Sequence, residues 1–312
     1  MHQNPKPPVP PLLILVIGMI AASTAGVLIR FAQREADSLV ISAVRLMIAV
    51  LVLSPLALFR YRKEMGRLRG EDLKLSFLAG IFLALHFAGW ISSLQFTSVA
   101  SSVVLVASTP LWVALAAPII LRETLPQPVK IGMIVALFGG VLVGLSTACQ
   151  LSFSGVSCEG FAAFFQGNAF LGNVLALGGA ITGAGYLLVG RKISGKYPLV
   201  VYIFYVYGSA AAILLAVVLF LGLPLTGFTI ETYGFLVALA LIPQLLGHSS
   251  YNWALKYLPV AYVSVVLLAE PIGSTTLAYL FLNEPPTILE IIGGGVILSG
   301  IYIASRSPSP SS

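Results

Sequence analysis

Glu270, Arg45, His86 and His248 all stand inside long apolar runs, where an ionisable side chain is expensive to keep. Glu270 lies about eleven residues from either end of its run, roughly 16 Å deep at 1.5 Å per residue. A charge at that depth costs about 2.5 to 3.5 kcal/mol on insertion scales, so the carboxylate must face protein or water. Proton coupling, substrate contact, or satisfaction of backbone groups freed by the adjacent Pro271 are the readings open to it. Arg45 sits about seven residues into its own run and could snorkel outward, pair with a carboxylate such as Glu270, or meet an anionic substrate group. His86 and Trp90 are four apart and share a helix face, and Gln244, His248, Tyr251 and Asn252 cluster at the same spacing. Imidazoles exchange protons near neutrality in water, so two such faces suggest a lined pathway for a small-molecule substrate. Interhelical hydrogen bonding, worth about 0.6 kcal/mol on average, is the structural alternative. Arg45, His86, Trp90, His248, Tyr251 and Asn252 are therefore substrate-binding candidates, and Glu270 is the candidate for coupling to protons. With three histidines in the chain and no ligand cluster, neither a metal nor a cofactor is expected.

The elements that position these residues follow from composition. The 312 residues are 58% hydrophobic and only 9% charged, with mean hydropathy +0.99, whereas a soluble domain carries about 25% charged residues. That excludes a water-soluble globule and a disordered chain. At roughly 20 apolar residues per span there is material for about nine or ten crossings. The runs lack period-two alternation, so they read as helices and the fold as an all-α polytopic membrane protein. The expected spans are Pro11 to Gln33, Ser38 to Phe59, Leu73 to Thr97, Ala100 to Leu121, Gln127 to Ala148, Gly167 to Gly190, Pro198 to Leu223, Thr229 to Leu255, Val260 to Leu282 and Thr287 to Ser305. The first is too long for a signal-peptide core and is expected to be retained. The chain thus divides into a disordered cytoplasmic N-terminus (1–10), a five-helix unit (11–148), an external loop (149–166), a second five-helix unit (167–305) and a disordered tail (306–312).

Of the 17 Lys and Arg residues, all but Arg30, Arg34 and Arg45 fall in segments that lie on one side if the N-terminus is cytoplasmic. The positive-inside rule then places both termini in the cytoplasm of a cell inner (plasma) membrane protein. The net charge of +6 belongs to these flanking loops, so no nucleic-acid partner is expected. Cys149 and Cys158 share the longest external loop, where oxidising conditions permit a disulfide; two free thiols is the other reading.

Sliding the chain along itself until Trp90 meets Tyr251 aligns the third to fifth spans with the eighth to tenth without a gap. In this register Pro110 meets Pro271, Glu123 meets Glu284, Gly132 meets Gly293 and Gly139 meets Gly300. Because five is odd, the two halves enter the membrane in opposite directions, the inverted-repeat architecture of many secondary transporters. Pro110 and Pro271 each remove a backbone donor in mid-span and should kink matched helices beside a central cavity. Four-residue stripes of small residues run through the first span (Gly18, Ala22, Gly26), the fifth (Gly132, Ala136, Gly140, Gly144) and the sixth (Gly179, Gly183). They read as close helix packing or, on the fifth span, as a homodimer interface.

The segments HFAGWISSLQFTSVASSVVL, TPLWVALAAPIILRE, GHSSYNWALKYLPVAYVSVVLLAEP and YLFLNEP resemble the EamA family of the drug/metabolite transporter superfamily. The mid-span proline followed by Glu123 or Glu284 at the span's exit is the most telling feature. The resemblance implies a ten-helix inverted-repeat exporter of amino acids or related amphipathic metabolites, with a central cavity near His86, Trp90, His248 and Glu270. Independently of the resemblance, two opposed halves in the lipid bilayer can exchange roles and open a midplane site first to one side and then to the other, so alternating access is expected. A nucleotide-sugar or organic-phosphate exchanger is the alternative within transport, and it would call for more basic residues at depth than Arg45. G-x-x-x-x-G-K-[ST], H-E-x-x-H and G-x-S-x-G are absent, which speaks against an ATPase or an intramembrane enzyme. A passive channel would lack saturable flux.

Overall fold

The computed structural model describes residues 7–122, 126–145, 149–152, 155–158 and 168–305. In chain order its helical rods are α1 (Pro11–Ala32), α2 (Ser38–Arg60), α3 (Glu71–Ser93), α4 (Val99–Ile120), α5 (Gln127–Leu145), α6 (Asn168–Ile193), α7 (Leu199–Phe220), α8 (Ile230–Ala254), α9 (Val260–Leu282) and α10 (Ile288–Ser305). All except α5 and α10 are long and apolar enough to cross a membrane, eight among the described residues. Phe59, Ile119, Phe220 and Ile230 are 82–89% exposed. Such a surface is tolerable in lipid and not in water, so this is a multi-pass membrane protein. The expected loop after α5 instead contains a hairpin, β1 (Cys149–Ser152) and β2 (Gly155–Cys158), whose register puts Cys149 opposite Cys158. Neither cysteine is free. The terminal segments 1–6 and 306–312, and Glu123, lie outside the described residues.

Local chemistry sets the helix ends. Asp37 caps α2 by accepting from the Leu39 amide at 2.7 Å, Ser98 caps α4 through the Ser101 amide, and Thr229 caps α8. Pro198 and Pro259 precede α7 and α9, where a missing amide costs nothing. Two polar ties fasten opposite ends of the bundle. At one, Glu35 accepts from the Thr229 amide (2.8 Å) and hydroxyl (3.0 Å), and the amide bond above all holds its carboxyl below the usual range. At the other, Lys196 donates to Asp72 at 2.9 Å, which raises the lysine's pKa, while Tyr197 donates to the second oxygen of the same carboxylate.

The helices pack in pairs, α3 on α6, α1 on α8, α2 on α7 and α5 on α10, and in all of these but α2–α7 glycines permit the close approach. A Cβ at Gly179 would come 3.2 Å from the Trp90 amide, and one at Gly18 would come 2.6 Å from the Ser250 Cβ and 3.2 Å from the Tyr251 ring. Gly18 and Gly179 occupy the same repeat register as Trp90 and Tyr251, so the two close approaches are counterparts. The correspondence is closer still between α5 and α10. A Cβ at Gly139 would lie 2.6 Å from the Gly293 carbonyl and 2.8 Å from the Ile297 amide, and one at Gly300 would lie 2.4 Å from the Gly132 carbonyl and 2.6 Å from the Ala136 amide. Gly132 and Ala136 of the α5 stripe therefore lie against α10 within the same chain, while Gly140 faces Val104 of α4.

Several rods are interrupted at depth. α4 runs as Val99–Val106, unwinds at Ala107 and Ser108, and resumes as Thr109–Ile120. α9 runs as Val260–Val266, tightens to a 3-10 turn over Leu267–Ala269, and resumes as Glu270–Leu282. Each break falls one turn before Pro110 or Pro271, where the ring cannot coexist with the carbonyl four residues back. The sequence pattern did not anticipate a break in α1 at Thr24 or a π-helical stretch in α8, Ala240–His248, built around Pro243.

The α5–α10 contact yields a matched test. Gly139→Ala forces a methyl onto immovable backbone and should destabilise by about 1–3 kcal/mol. Gly140→Ala, whose Cβ would meet only the Val104 side chain at 3.7 Å, should be close to neutral. Thermal unfolding of both variants in detergent gives the comparison.

Candidate functional site

The breaks in α4 and α9 face one another across a cavity at the middle of the bundle. Its walls include His86 and Trp90 from α3, Val106 and Thr109 from α4, Gly183 and Tyr186 from α6, His248 and Tyr251 from α8, and Leu267 and Glu270 from α9. Three pairs among these are counterparts in the repeat register: Trp90 with Tyr251, Val106 with Leu267, and Thr109 with Glu270. The free space is about 50 Å³, enough for a few waters and less than a metabolite requires.

The walls are aromatic. His86 stacks on Trp90 at 5.9 Å between ring centroids and meets His248 edge-on at 6.1 Å, and His248 meets Tyr251 at 5.8 Å. His86 is oriented by a 2.8 Å hydrogen bond between Nδ1 and the Gly179 carbonyl. Gly183 lets the imidazole in, since a Cβ there would lie 2.9 Å from Nδ1. The π-helical turn of α8 is wider than an α-turn, which re-aims Gln244 and His248 toward the interior. Trp90 Nε1, His248 Nδ1 and the Tyr251 hydroxyl are buried without a protein partner. Unpaired buried polar atoms are costly, and their convergence on one space marks a place where something polar can bind.

Glu270 lines this space, half-buried at the start of the second segment of α9. The repeat counterpart explains why it is not a structural patch for the kink. Thr109 donates to the Val106 carbonyl at 2.8 Å, the acceptor that Pro110 leaves without its usual amide. The equivalent Leu267 carbonyl already accepts the Glu270 amide within the 3-10 turn and asks nothing of the Glu270 side chain. The Ser23 hydroxyl instead reaches the Glu270 carbonyl at 3.3 Å, and Ser274 returns a bond to the Ser23 carbonyl at 3.0 Å, stitching α1 to α9.

Of the residues singled out from sequence, the structure brings His86, Trp90, His248, Tyr251 and Glu270 together, and Pro110 and Pro271 frame them. Arg45 and Asn252 lie one layer away. Arg45 is fully buried, donates to Gln244 Oε1 at 3.0 Å and stacks 4.2 Å over the Phe87 ring, which stands between it and the cavity. It makes no ion pair with Glu270; the ion pairs among the described residues are Arg30 with Glu284 and Lys196 with Asp72. Asn252 donates to the Tyr186 hydroxyl and the His248 carbonyl. Sequence reasoning missed Thr109 and Tyr186. Tyr186 stands three residues beyond Gly183 on the same helix face, a spacing that could have flagged it. Among the described residues no group of His, Cys, Asp and Glu could hold a metal.

A wider hollow of about 760 Å³ opens at the end of the bundle that carries Arg30, Thr97 and Glu284. Ala100 and Ala278 line it, roughly one and two turns beyond Val103 and Glu270 of the central cavity.

A helical membrane bundle with broken rods around a central cavity is an architecture found among transporters. The chain is a member of the EamA-like transporter family, within the drug/metabolite transporter superfamily: the family's sequence model matches residues 9–145 and again residues 170–306. The two matches start and end in the same repeat register that pairs Trp90 with Tyr251. An uncharacterized transporter of Archaeoglobus fulgidus is 24% identical over 298 residues, covering 94% of this chain and 96% of its own length. One from Clostridium kluyveri is 27% identical over 281 residues, covering 87% and 85%. A solved crystal structure superimposes with a TM-score of 0.73 at 18% identity over 95% of this chain and 97% of that one, a likeness of fold alone.

Trp90→Ala removes a wall of the cavity without touching a hydrogen bond, and His86→Ala removes its stacking partner. Each should raise the half-saturation concentration of transport by about tenfold, equivalent to about 1.4 kcal/mol. Gel filtration should show both variants assembled as in the wild type.

Proposed function

We propose that this protein is a secondary active transporter that exports small amphipathic metabolites, amino acids or their relatives, by alternating access coupled to protons. The observation that carries the reading is the Glu270 carboxylate on a cavity whose opposing walls are counterparts in two halves matched by one transporter model. In this reading α5 and α10 also cross the bilayer, giving two five-helix repeats, 11–148 and 167–305, of opposite orientation. Exchange of conformation between the halves opens the cavity to each side in turn. The matched contacts of Gly139 and Gly300 and the matched breaks before Pro110 and Pro271 support the repeat. The charge bias of the loops supports N- and C-termini in the cytoplasm and residence in the inner membrane. The hairpin then lies outside, where Cys149 and Cys158, opposed in register, form a disulfide. A homodimer would use the remaining face of α5, where Ile134 and Phe138 are exposed.

The cavity has no Lys or Arg on its described walls, which favours this reading over a phosphate exchanger. Glu270 is its one carboxylate, faced by His86, His248 and Tyr251, with Arg45 behind Phe87. Glu270→Gln keeps the size of the side chain and removes the exchangeable proton. Flux in proteoliposomes driven by a pH gradient should then lose its pH dependence, and an unchanged profile would take Glu270 out of coupling.

A further inference from the structure

We propose that the central cavity narrows that substrate range from amino acids to their cationic relatives, an ammonium group on an apolar or aromatic body, which it selects over the matching zwitterions and anions. This rests on the cavity being the transport site. Its walls offer one formal charge, the Glu270 carboxylate, and no cation among the described residues. The one cation at that depth, Arg45, lies behind Phe87, on whose ring it stacks, and is held by Gln244, so it offers a ligand in the cavity no direct contact. Around the carboxylate stand the rings of Trp90, Tyr251, Tyr186, His86 and His248. Aromatic faces carry negative potential and attract an ammonium group, most strongly where water is excluded. A carboxylate entering the same small space meets Glu270 as a like charge. Trp90 Nε1 and the Tyr251 hydroxyl can donate to it, yet neutral donors do not cancel a buried charge.

Three ligands that share a phenethyl body separate the charge terms: phenethylammonium, phenylalanine and 3-phenylpropionate. Ligand-induced thermal stabilisation of the purified full-length chain reads their affinities. Phenethylammonium should bind about tenfold or more tightly than phenylalanine, and 3-phenylpropionate should give no shift. Glu270→Gln should abolish the response to phenethylammonium and Glu270→Asp should retain part of it, with both variants monodisperse. No shift with phenethylammonium, equal or tighter binding of phenylalanine or 3-phenylpropionate, or an undiminished response in Glu270→Gln overturns the proposal. Preference for phenylalanine alongside measurable flux leaves the export reading standing. Selective cation binding without flux of any solute does the opposite.

Discussion

A helix that breaks inside a bilayer exposes carbonyls that lipid cannot satisfy, so every interruption must be paid for by protein groups at the same depth. That constraint organises this molecule. Pro110 deprives the Val106 carbonyl of its amide, and the Thr109 hydroxyl supplies the missing donor from one residue away. At Thr24, where α1 unwinds, the hydroxyl bonds the Ala21 carbonyl at 2.7 Å and the neighbouring Ser23 links to both Glu270 and Ser274 of α9. The breaks are therefore sites of polar wiring between helices, and the cavity is the space that the wired breaks leave at their centre.

The two halves build this space from a common plan and then depart from it. Counterparts at the same register supply a ring on α3 and on α8, Trp90 and Tyr251, and an apolar wall on α4 and on α9, Val106 and Leu267. The chemistry lies in the departures. Thr109 faces Glu270, so a single charge sits off the axis of an otherwise matched pair. His86 has Gly247 as its counterpart, and Pro243, which organises the π-helical turn carrying His248, has Phe82. A strictly symmetric site would present equivalent groups to both sides of the membrane. Here the carboxylate belongs to the second half alone, so the two sides of the cavity are chemically unequal.

Much of this was legible in the sequence for identifiable physical reasons. Helix limits were close because capping residues and prolines mark them: Asp37, Ser98, Pro198 and Pro259 stand where rods begin. The prolines located the α4 and α9 breaks, and four-residue spacing placed His86 beside Trp90. Spacing on one helix does not reveal which neighbour covers it, and that is where Arg45 and Asn252 escaped. Arg45 has room for its long side chain to reach across to Gln244, far along the chain on α8, and Phe87 closes the gap it leaves. Pro243 has Phe82 as its counterpart, so the repeat register does not mark it. The hairpin at Cys149 was hidden by its shortness, four residues per strand.

The closed state of the cavity follows from where the glycines sit. Gly179 and Gly18 bring α6 onto α3 and α1 onto α8 at backbone distance, level with Trp90 and Tyr251. Contacts of this kind resist sliding, because any lateral shift drives backbone into backbone. The α4 and α9 breaks offer the softer route, since the unwound residues Ala107 and Ser108 and the tightened turn Leu267–Ala269 can absorb changes in dihedral angle that a continuous helix cannot. Rigid pairs of glycine-locked helices moving about these interrupted rods would enlarge the space beside Glu270 without unpacking the seams. The vestibule beside Arg30 already extends along the same two helices, α4 and α9, whose interruptions border the cavity.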